Sequence, residues 1–242
     1  MPETLPNDLI EHFRAFELLD DDAPMRGFVR VIRCGIRDWQ RLYEHPALGF
    51  DKPFDVRFAK AVVKTLGHLV GTDAEILFGY AEHGEFSLLL NADVDGSNHG
   101  GRWLVSRIAS NSAAKLSLLL GDLALFDVHL YQFPSPELAR IYFQWRQQCQ
   151  ERLSLDRWVF HALHTKTGDE QTAQTIVADL GTEEKLEILV QHEMQFDEVP
   201  VWQRRGAGVY WQNRESEADK SLLVDTTLPT GDAYSEYLKM FL

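Results

Sequence analysis

Four consecutive residues, Glu82, His83, Gly84 and Glu85, interrupt two short apolar runs, Ile76–Tyr80 and Phe86–Leu90. The runs are rich in Ile, Leu, Phe and Tyr, and the polar break carries a glycine, which is the composition of a β-hairpin. A carboxylate at such a tip suits metal-assisted phosphoryl transfer, because two divalent ions need shared carboxylates in line with the attacking and leaving oxygens. The second chemical signal is cationic. Arg26, Arg30, Arg33, Arg37 and Arg41 follow one another with Asp38 as the one acid among them. A guanidinium fork suits a triphosphate or an RNA phosphate; salt bridging to the chain's many acids is the equal alternative. Farther on, Arg204, Arg205 and Arg214 stand among Trp202, Tyr210 and Trp211. Such a mixture meets RNA by charge and stacking, or the aromatic residues serve packing.

Other patterns carry less. His83-Gly84-Glu85 has the His-x-Glu of zinc deaminases, but no Pro-Cys-x-x-Cys follows it. Gly206-Ala207-Gly208 lacks the strand-to-helix setting of a dinucleotide loop and reads as a turn. His129, His161 and His164 show no ligand spacing. Cys34 and Cys149 are too far apart for a metal knuckle and too few for a disulfide framework. No confident metal site is read.

The elements that must position these groups follow from periodicity. Asp8–Leu19 has helical apolar spacing, with Asp8 as its cap and Asp20–Asp22 as a solvated turn after it. Gly27–Cys34 reads as a strand, about Phe54–Val70 as a helix, and the hairpin follows. After a polar loop over Asn91–Gly101 come a helix over Leu104–Leu120 and a strand over Phe126–Phe133. The order β-α-β-β-α-β predicts an α+β, ferredoxin-like antiparallel sheet with both helices on one face. Its other face is expected to be free for a ligand or another domain. Helical segments are predicted at about Glu137–Leu153, Trp158–Leu163, Asp169–Leu180 and Thr182–Gln191, the last with an imperfect capping box of Thr182 and Lys185. Val201–Trp211 is a strand or loop pair, and Asp225–Leu242 ends in a short helix. The expected division is 1–136 as one domain and 137–242 as a mostly helical extension packed on it.

With 242 residues the chain can bury a sizeable core, and its net charge of −13, from 24 basic and 37 acidic residues, opposes a general nucleic-acid coat. It does not oppose a local basic patch. No apolar run reaches membrane length and no signal peptide is read, so a cytoplasmic protein is expected.

Five segments occur in order: FDKPFDVRF at Phe50–Phe58, FGYAEHGEFSLL at Phe78–Leu89, ASNSAAKL at Ala109–Leu116, YFQWRQ at Tyr142–Gln147 and FDEVPVWQRRGAGVYW at Phe196–Trp211. Together they resemble the tRNA-histidine guanylyltransferase family, whose members add nucleotides in the 3′–5′ direction at tRNA 5′ ends. The resemblance runs from about Asp8 to Trp211. It implies a polymerase-type palm, magnesium and GTP or ATP as cofactors, tRNA and a nucleoside triphosphate as partners, and an oligomer.

The same resemblance puts the family's two metal-binding aspartates on Gly35, after the first strand, and on Gly84, at the hairpin tip. The acid neighbouring the second is retained as Glu85. Farther on, the family's Asp and Asn fall on Cys149 and Leu153. It places Arg33 and Arg37 beside the nucleotide, with Lys52 and Asp55 close by, and leaves Arg204 and Arg205 for RNA. The implied protein is a divergent member with weak or no metal-dependent nucleotidyltransfer that binds nucleotide or RNA. Two alternatives stand beside it. One is an active 3′–5′ nucleotidyltransferase using displaced carboxylates, Asp38 with Glu82 or Glu85. The other is a structural subunit of a hetero-oligomer with an active paralogue. Strand alternation aims Glu85 at the face opposite to position 84 and gives Glu82 the matching parity.

Overall fold

A computed structural model describes residues 9, 13, 16, 27–73, 75–91, 100–213 and 219–242. Most of the expected Asp8–Leu19 helix with its cap, the Asp20–Asp22 turn, Arg26, most of the Asn91–Gly101 loop and Arg214 lie outside these residues. Strands β1 (Val29–Arg37), β2 (Ile76–Ala81), β3 (Glu85–Leu90) and β4 (Leu125–Phe133) are joined by helices. A short α1 (Trp39–Tyr43) and the long α2 (Val56–Thr72) separate β1 from β2; α3 (Gly101–Leu120) separates β3 from β4. The strands lie in the order β4-β1-β3-β2, every pairing antiparallel. β1 outruns its expected end at Cys34 by three residues and carries Gly35 within the ladder, between Glu85 of β3 and Asp127 of β4.

The sheet continues past β2. The C-terminal chain adds β5 (Ala207–Gln212) against β2, and β6 (Ser221–Asp225) against β5, giving six strands. Gly206-Ala207-Gly208 is therefore the entry to a strand rather than only a turn. Among the remaining elements, α4 (Pro136–Thr167) is one continuous helix of 32 residues where two segments were expected. Ser135 caps it by accepting from the Leu138 N–H, and Pro136 occupies the first turn, where its missing N–H is no loss. Nothing between Leu153 and Trp158 breaks a helix, so the two segments fuse. Shorter α5 (Glu170–Asp179), α6 (Thr182–Gln191), α7 (Val201–Arg205) and α8 (Gly231–Leu238) complete the described chain. The acid that caps α6 is Glu184, which accepts the Gly181 N–H at 2.7 Å, not Lys185.

Both faces of the sheet are covered. Ile32, Cys34, Phe86, Leu88 and Leu130 pack under α2 and α3 through Phe58, Leu66, Leu104 and Ile108. Val31, Tyr80, Leu89 and Phe133 face Tyr142, Phe143 and Trp145 of α4, with Tyr234 and Leu238 of α8 and Phe13. The second face was expected to be free; it is instead a second core, because Val29 and Val31 of β1, Phe78 and Tyr80 of β2, Leu89 of β3 and Tyr131 and Phe133 of β4 put apolar side chains on it away from the tip. Only near the hairpin tip do polar residues interrupt it. Among the described residues no helix is long and apolar enough to cross a membrane.

Candidate functional site

The hairpin tip is a tight turn closed by the Glu82 N–H donating to the Glu85 carbonyl at 2.8 Å. Directly paired residues on two antiparallel strands share a face, so Glu82 and Glu85 point the same way. Alternation along the strand predicts opposite faces, but it fails at Gly84, whose φ of +90° turns the chain. A Cβ on Gly84 would lie 3.0 Å from Cγ of Trp39, the first residue of α1. The tip is tied down by the Ile36 N–H, which donates to the Gly84 carbonyl at 2.9 Å. Trp39 thus fills the space beside position 84.

On the α4 face the two acids meet two arginines. Arg33 donates Nε and Nη2 to the two carboxylate oxygens of Glu85, at 2.8 and 2.9 Å. Arg146, from the middle of α4, donates Nε and Nη2 to Glu82 at 2.8 and 2.7 Å, and Nη2 also reaches Glu85 at 2.6 Å. The four groups form a neutral quartet with both forks satisfied. Burial pushes the Glu82 carboxyl above the usual range, against the pull of Arg146. Burial acts the same way on Glu85, but Arg146 and Arg33 together outweigh it and hold that carboxyl below the usual range. Arg146 is buried, yet Glu82 and Glu85 raise its pKa well above that of a free guanidinium.

Gly35 lies beside this quartet, paired with Glu85 on one side and Asp127 on the other. Its missing Cβ would find only ordinary contacts, Glu85 Cγ at 3.9 Å and the Asp127 carbonyl at 4.0 Å. Asp127 is occupied as well: Arg37 donates Nε to its Oδ1 at 3.1 Å and adds an Nη2 hydrogen bond. That hydrogen bonding holds the Asp127 carboxyl below its usual range. Asp38 follows Arg37 in the left-handed region, φ 51°, exposed and making no side-chain cap to α1. It is not gathered with Glu82 and Glu85, and among the described residues no three acids, histidines or cysteines stand together as metal ligands.

Lys52 and Asp55 form a separate group. Lys52 lies over the Tyr43 ring at 4.5 Å and reaches Glu44 at 3.6 Å. Asp55 is the N-cap of α2: it accepts from the Arg57 N–H at 2.5 Å, from the Asp51 N–H at 2.8 Å, and from the Arg57 guanidinium. Burial raises its carboxyl, but these hydrogen bonds win and bring the pKa down to about 2. No hydrogen bond or ion pair joins Lys52 or Asp55 to Arg33 or Arg37 among the described residues.

Between the two groups lies His83, met edge-on by Trp39, Tyr43 and Phe54 and at a tilt by Phe58. Its Nε2 is buried without a hydrogen-bond partner, and burial, aided by the nearby cations Arg157 and Lys52, keeps the ring neutral. Arg157 of α4 lies on Trp39 at 4.4 Å and on Phe54 at 5.6 Å, with Nη1 buried and unpaired. Burial lowers its pKa to about 10.

The expected RNA pair is divided. Arg204 turns inward, donating Nε to the Val199 carbonyl at 2.8 Å and lying against Phe196, whereas Arg205 reaches Glu151 of α4 at 3.4 Å. Trp211 donates its Nε1–H to the Val70 carbonyl at 3.0 Å, an end-of-helix packing role. Sequence reasoning missed Trp39, Asp127, Arg146 and Arg157. Arg146 lies within the segment YFQWRQ, and a buried arginine beside two aromatic residues was the available signal for an acidic partner across the fold.

Comparison with known proteins gives one direction. The family profile of tRNAHis guanylyltransferase matches residues 10–136, more than half of the chain. A curated relative from Bos taurus, a probable tRNA(His) guanylyltransferase, is 23% identical over 235 residues, 90% of this chain and 76% of its own length. Among solved structures, a bacterial tRNA(His) guanylyltransferase-like protein in complex with GTP superposes with a TM-score of 0.72 at 20% identity, covering 97% of each chain. The same description in complex with ATP gives 0.74 at 18% identity, again covering 97% of each. The Saccharomyces cerevisiae tRNA(His) guanylyltransferase gives 0.72 at 18%, covering 90% of this chain and 96% of that one.

Proposed function

This chain belongs to the tRNAHis guanylyltransferase family, and on that premise we propose that it is a nucleotide- and RNA-binding member whose metal-dependent nucleotidyltransfer is weak or absent. In this reading, residues 1–136 are a ferredoxin-like palm and 137–242 an extension that packs on it. The neighbours bound to GTP and ATP make a nucleoside triphosphate the ligand to expect.

The observation that carries the reading is the quartet. The positions where the resemblance puts metal-binding aspartates are Gly35 and Gly84. Of the acids beside them, Glu82 and Glu85 are saturated by Arg146 and Arg33, and Asp127 is paired with Arg37. A magnesium ion needs near-octahedral oxygen ligands at about 2.0–2.1 Å, and here two guanidinium groups already stand against those oxygens. The residues therefore do not fit a magnesium pair. Rebuilding one from Asp38 would require both forks to open and an exposed loop residue to turn in. Loss of such electrostatic stabilisation costs more than about a thousandfold in rate.

Binding survives more easily than catalysis. The Arg37–Asp127 and Lys52–Glu44 pairs are at the surface, where an ion pair contributes about 0–1 kcal/mol and is readily exchanged for phosphate. The test is incorporation of labelled GTP at a tRNA 5′ end, alongside calorimetric titration of GTP with and without magnesium. Expected are no incorporation and weak GTP binding of similar strength in both titrations. Magnesium-dependent addition that Asp38→Ala or Glu85→Ala abolishes would establish the rebuilt centre and overturn the reading.

A further inference from the structure

A cavity of about 400 Å³ opens beside the hairpin tip, between the first half of α2, α7 and the β5–β6 edge of the sheet. Its walls are mostly apolar, supplied by Phe54, Val56, Val63, Trp202 and Val224. Val56 and Val224 remain half exposed, an unusual state for two β-branched apolar residues facing the same space. The size lies within the range of small-molecule sites.

Three features restrict what it can hold. Lys60 and Lys64 line it from successive turns of α2, and neither has a carboxylate partner among the described residues. The acid that also lines it, Glu82, is committed to Arg146. Of the neutral polar residues lining it, His83 has its Nε2 buried, Gln150 already spends its amide on the His83 N–H and the Gln203 carbonyl, and Thr226 adds one exposed hydroxyl. A nucleobase presents several polar edges, and each one buried without a partner costs about 1–3 kcal/mol. A polyphosphate carries more negative charge than two ammonium groups offset, and its oxygens would lie against the apolar walls without donors. An apolar body with one anionic end meets the walls and the two ammonium groups without leaving a polar group stranded.

We propose that this cavity binds a small amphipathic carboxylate, its hydrocarbon chain against Phe54, Val63 and Trp202 and its carboxylate between Lys60 and Lys64. The site is separate from the nucleotide reading: Arg33, Arg37 and Lys52 take no part in it.

The experiment is calorimetric titration of the full chain with decanoate, octanoate, decan-1-ol and GTP. Decanoate should bind one to one in the micromolar range, and octanoate about fifteenfold more weakly, at about 0.8 kcal/mol per methylene. Decan-1-ol should bind at least tenfold more weakly than decanoate. The double variant Lys60→Glu/Lys64→Glu should reduce decanoate affinity at least tenfold, and Ala59→Trp, which fills the cavity, should abolish it. If Ala59→Trp fails to fold, the surface double variant and the chain-length series decide the matter. Saturating GTP should leave decanoate affinity unchanged whether or not GTP itself binds. No heat with millimolar decanoate overturns the proposal. So does equal binding of decan-1-ol, indifference to charge reversal at the two lysines, or displacement of decanoate by GTP.

Discussion

Replacing Arg146 by leucine tests whether the quartet is the keystone of the hairpin tip. Arg146 makes three charged hydrogen bonds, two to Glu82 and one to Glu85. Glu82 has a side chain only 3% exposed and, among the described residues, no other cation in contact, so Arg146→Leu strands a buried carboxylate. Breaking a buried pair from one side costs about 3–5 kcal/mol. Arg33→Leu differs, because Glu85 is 29% exposed and keeps Arg146. With discount for solvent, that change costs about 1–2 kcal/mol. For a chain of this length 1 kcal/mol moves the melting temperature by about 2–4 °C, so Arg146→Leu should lower it by roughly 6–20 °C and Arg33→Leu by only a few degrees. The double variant Glu82→Leu/Arg146→Leu should recover most of the loss, since a hydrophobic pair leaves no uncompensated charge. The penalty in Arg146→Leu should also shrink as pH falls from 7 towards 5. Without Arg146 the folded-state pKa of Glu82 rises further above its unfolded value, and an acid so raised destabilises the fold only where it is forced to ionise. The assay is urea and thermal unfolding at both pH values. A cost below about 1 kcal/mol for Arg146→Leu, or equal costs for the two single variants, refutes this account of the tip.

Three further outcomes follow from the same region. Gly35→Asp should cost less than about 1 kcal/mol, because its Cβ meets only ordinary contacts, whereas Gly84→Asp should cost about 2 kcal/mol for a positive φ and a clash with Trp39. The pair of aspartates should take up magnesium in calorimetry only when Trp39→Ala is added; uptake by Gly35→Asp/Gly84→Asp alone would contradict the geometry. Asp55 has its pKa brought down to about 2 from an ordinary 3.8, so it contributes about 2 kcal/mol above pH 5 that is lost as pH falls towards 2. Asp55→Asn should remove that part of the acid dependence in unfolding titrations, and an unchanged acid limb argues against it. Arg157→Met should cost less than about 1 kcal/mol, since it removes a buried guanidinium that lacks a carboxylate among the described residues and gives up only cation–π contact; a loss like that of Arg146→Leu would show an anionic partner.

Much of the fold was legible because it is local. The apolar runs of β2 and β3 and the helical stripe of α2 each announce themselves within a dozen residues. What was not legible is non-local or depends on a single dihedral angle. β5 joins the sheet by pairing with β2, more than a hundred residues earlier, β6 follows by pairing with β5, and Leu222 and Val224 remain exposed. The shared face of Glu82 and Glu85 follows from a turn at Gly84 that periodicity cannot express. Arg146 and Arg157 come from one helix whose polar positions resemble a solvated surface until the sheet is placed beneath them.

The exchange of metal for guanidinium has a consequence for affinity in the proposed reading. A metal centre is a set of carboxylates short of positive charge, which a mobile cation completes and shares with phosphate. Here the positive charge is attached to β1 and α4, and its hydrogen bonds are already used by Glu82 and Glu85. A phosphate approaching Arg33 or Arg146 must compete with a carboxylate inside the protein, where separating the pair is costly. Arg37 and Lys52 carry no such handicap, because their acids are at the surface and water can take over either partner. Residual nucleotide affinity therefore rests on those two residues. It should fall with added salt, as exposed charge contacts do, and Arg33 acts chiefly as a structural brace for the hairpin.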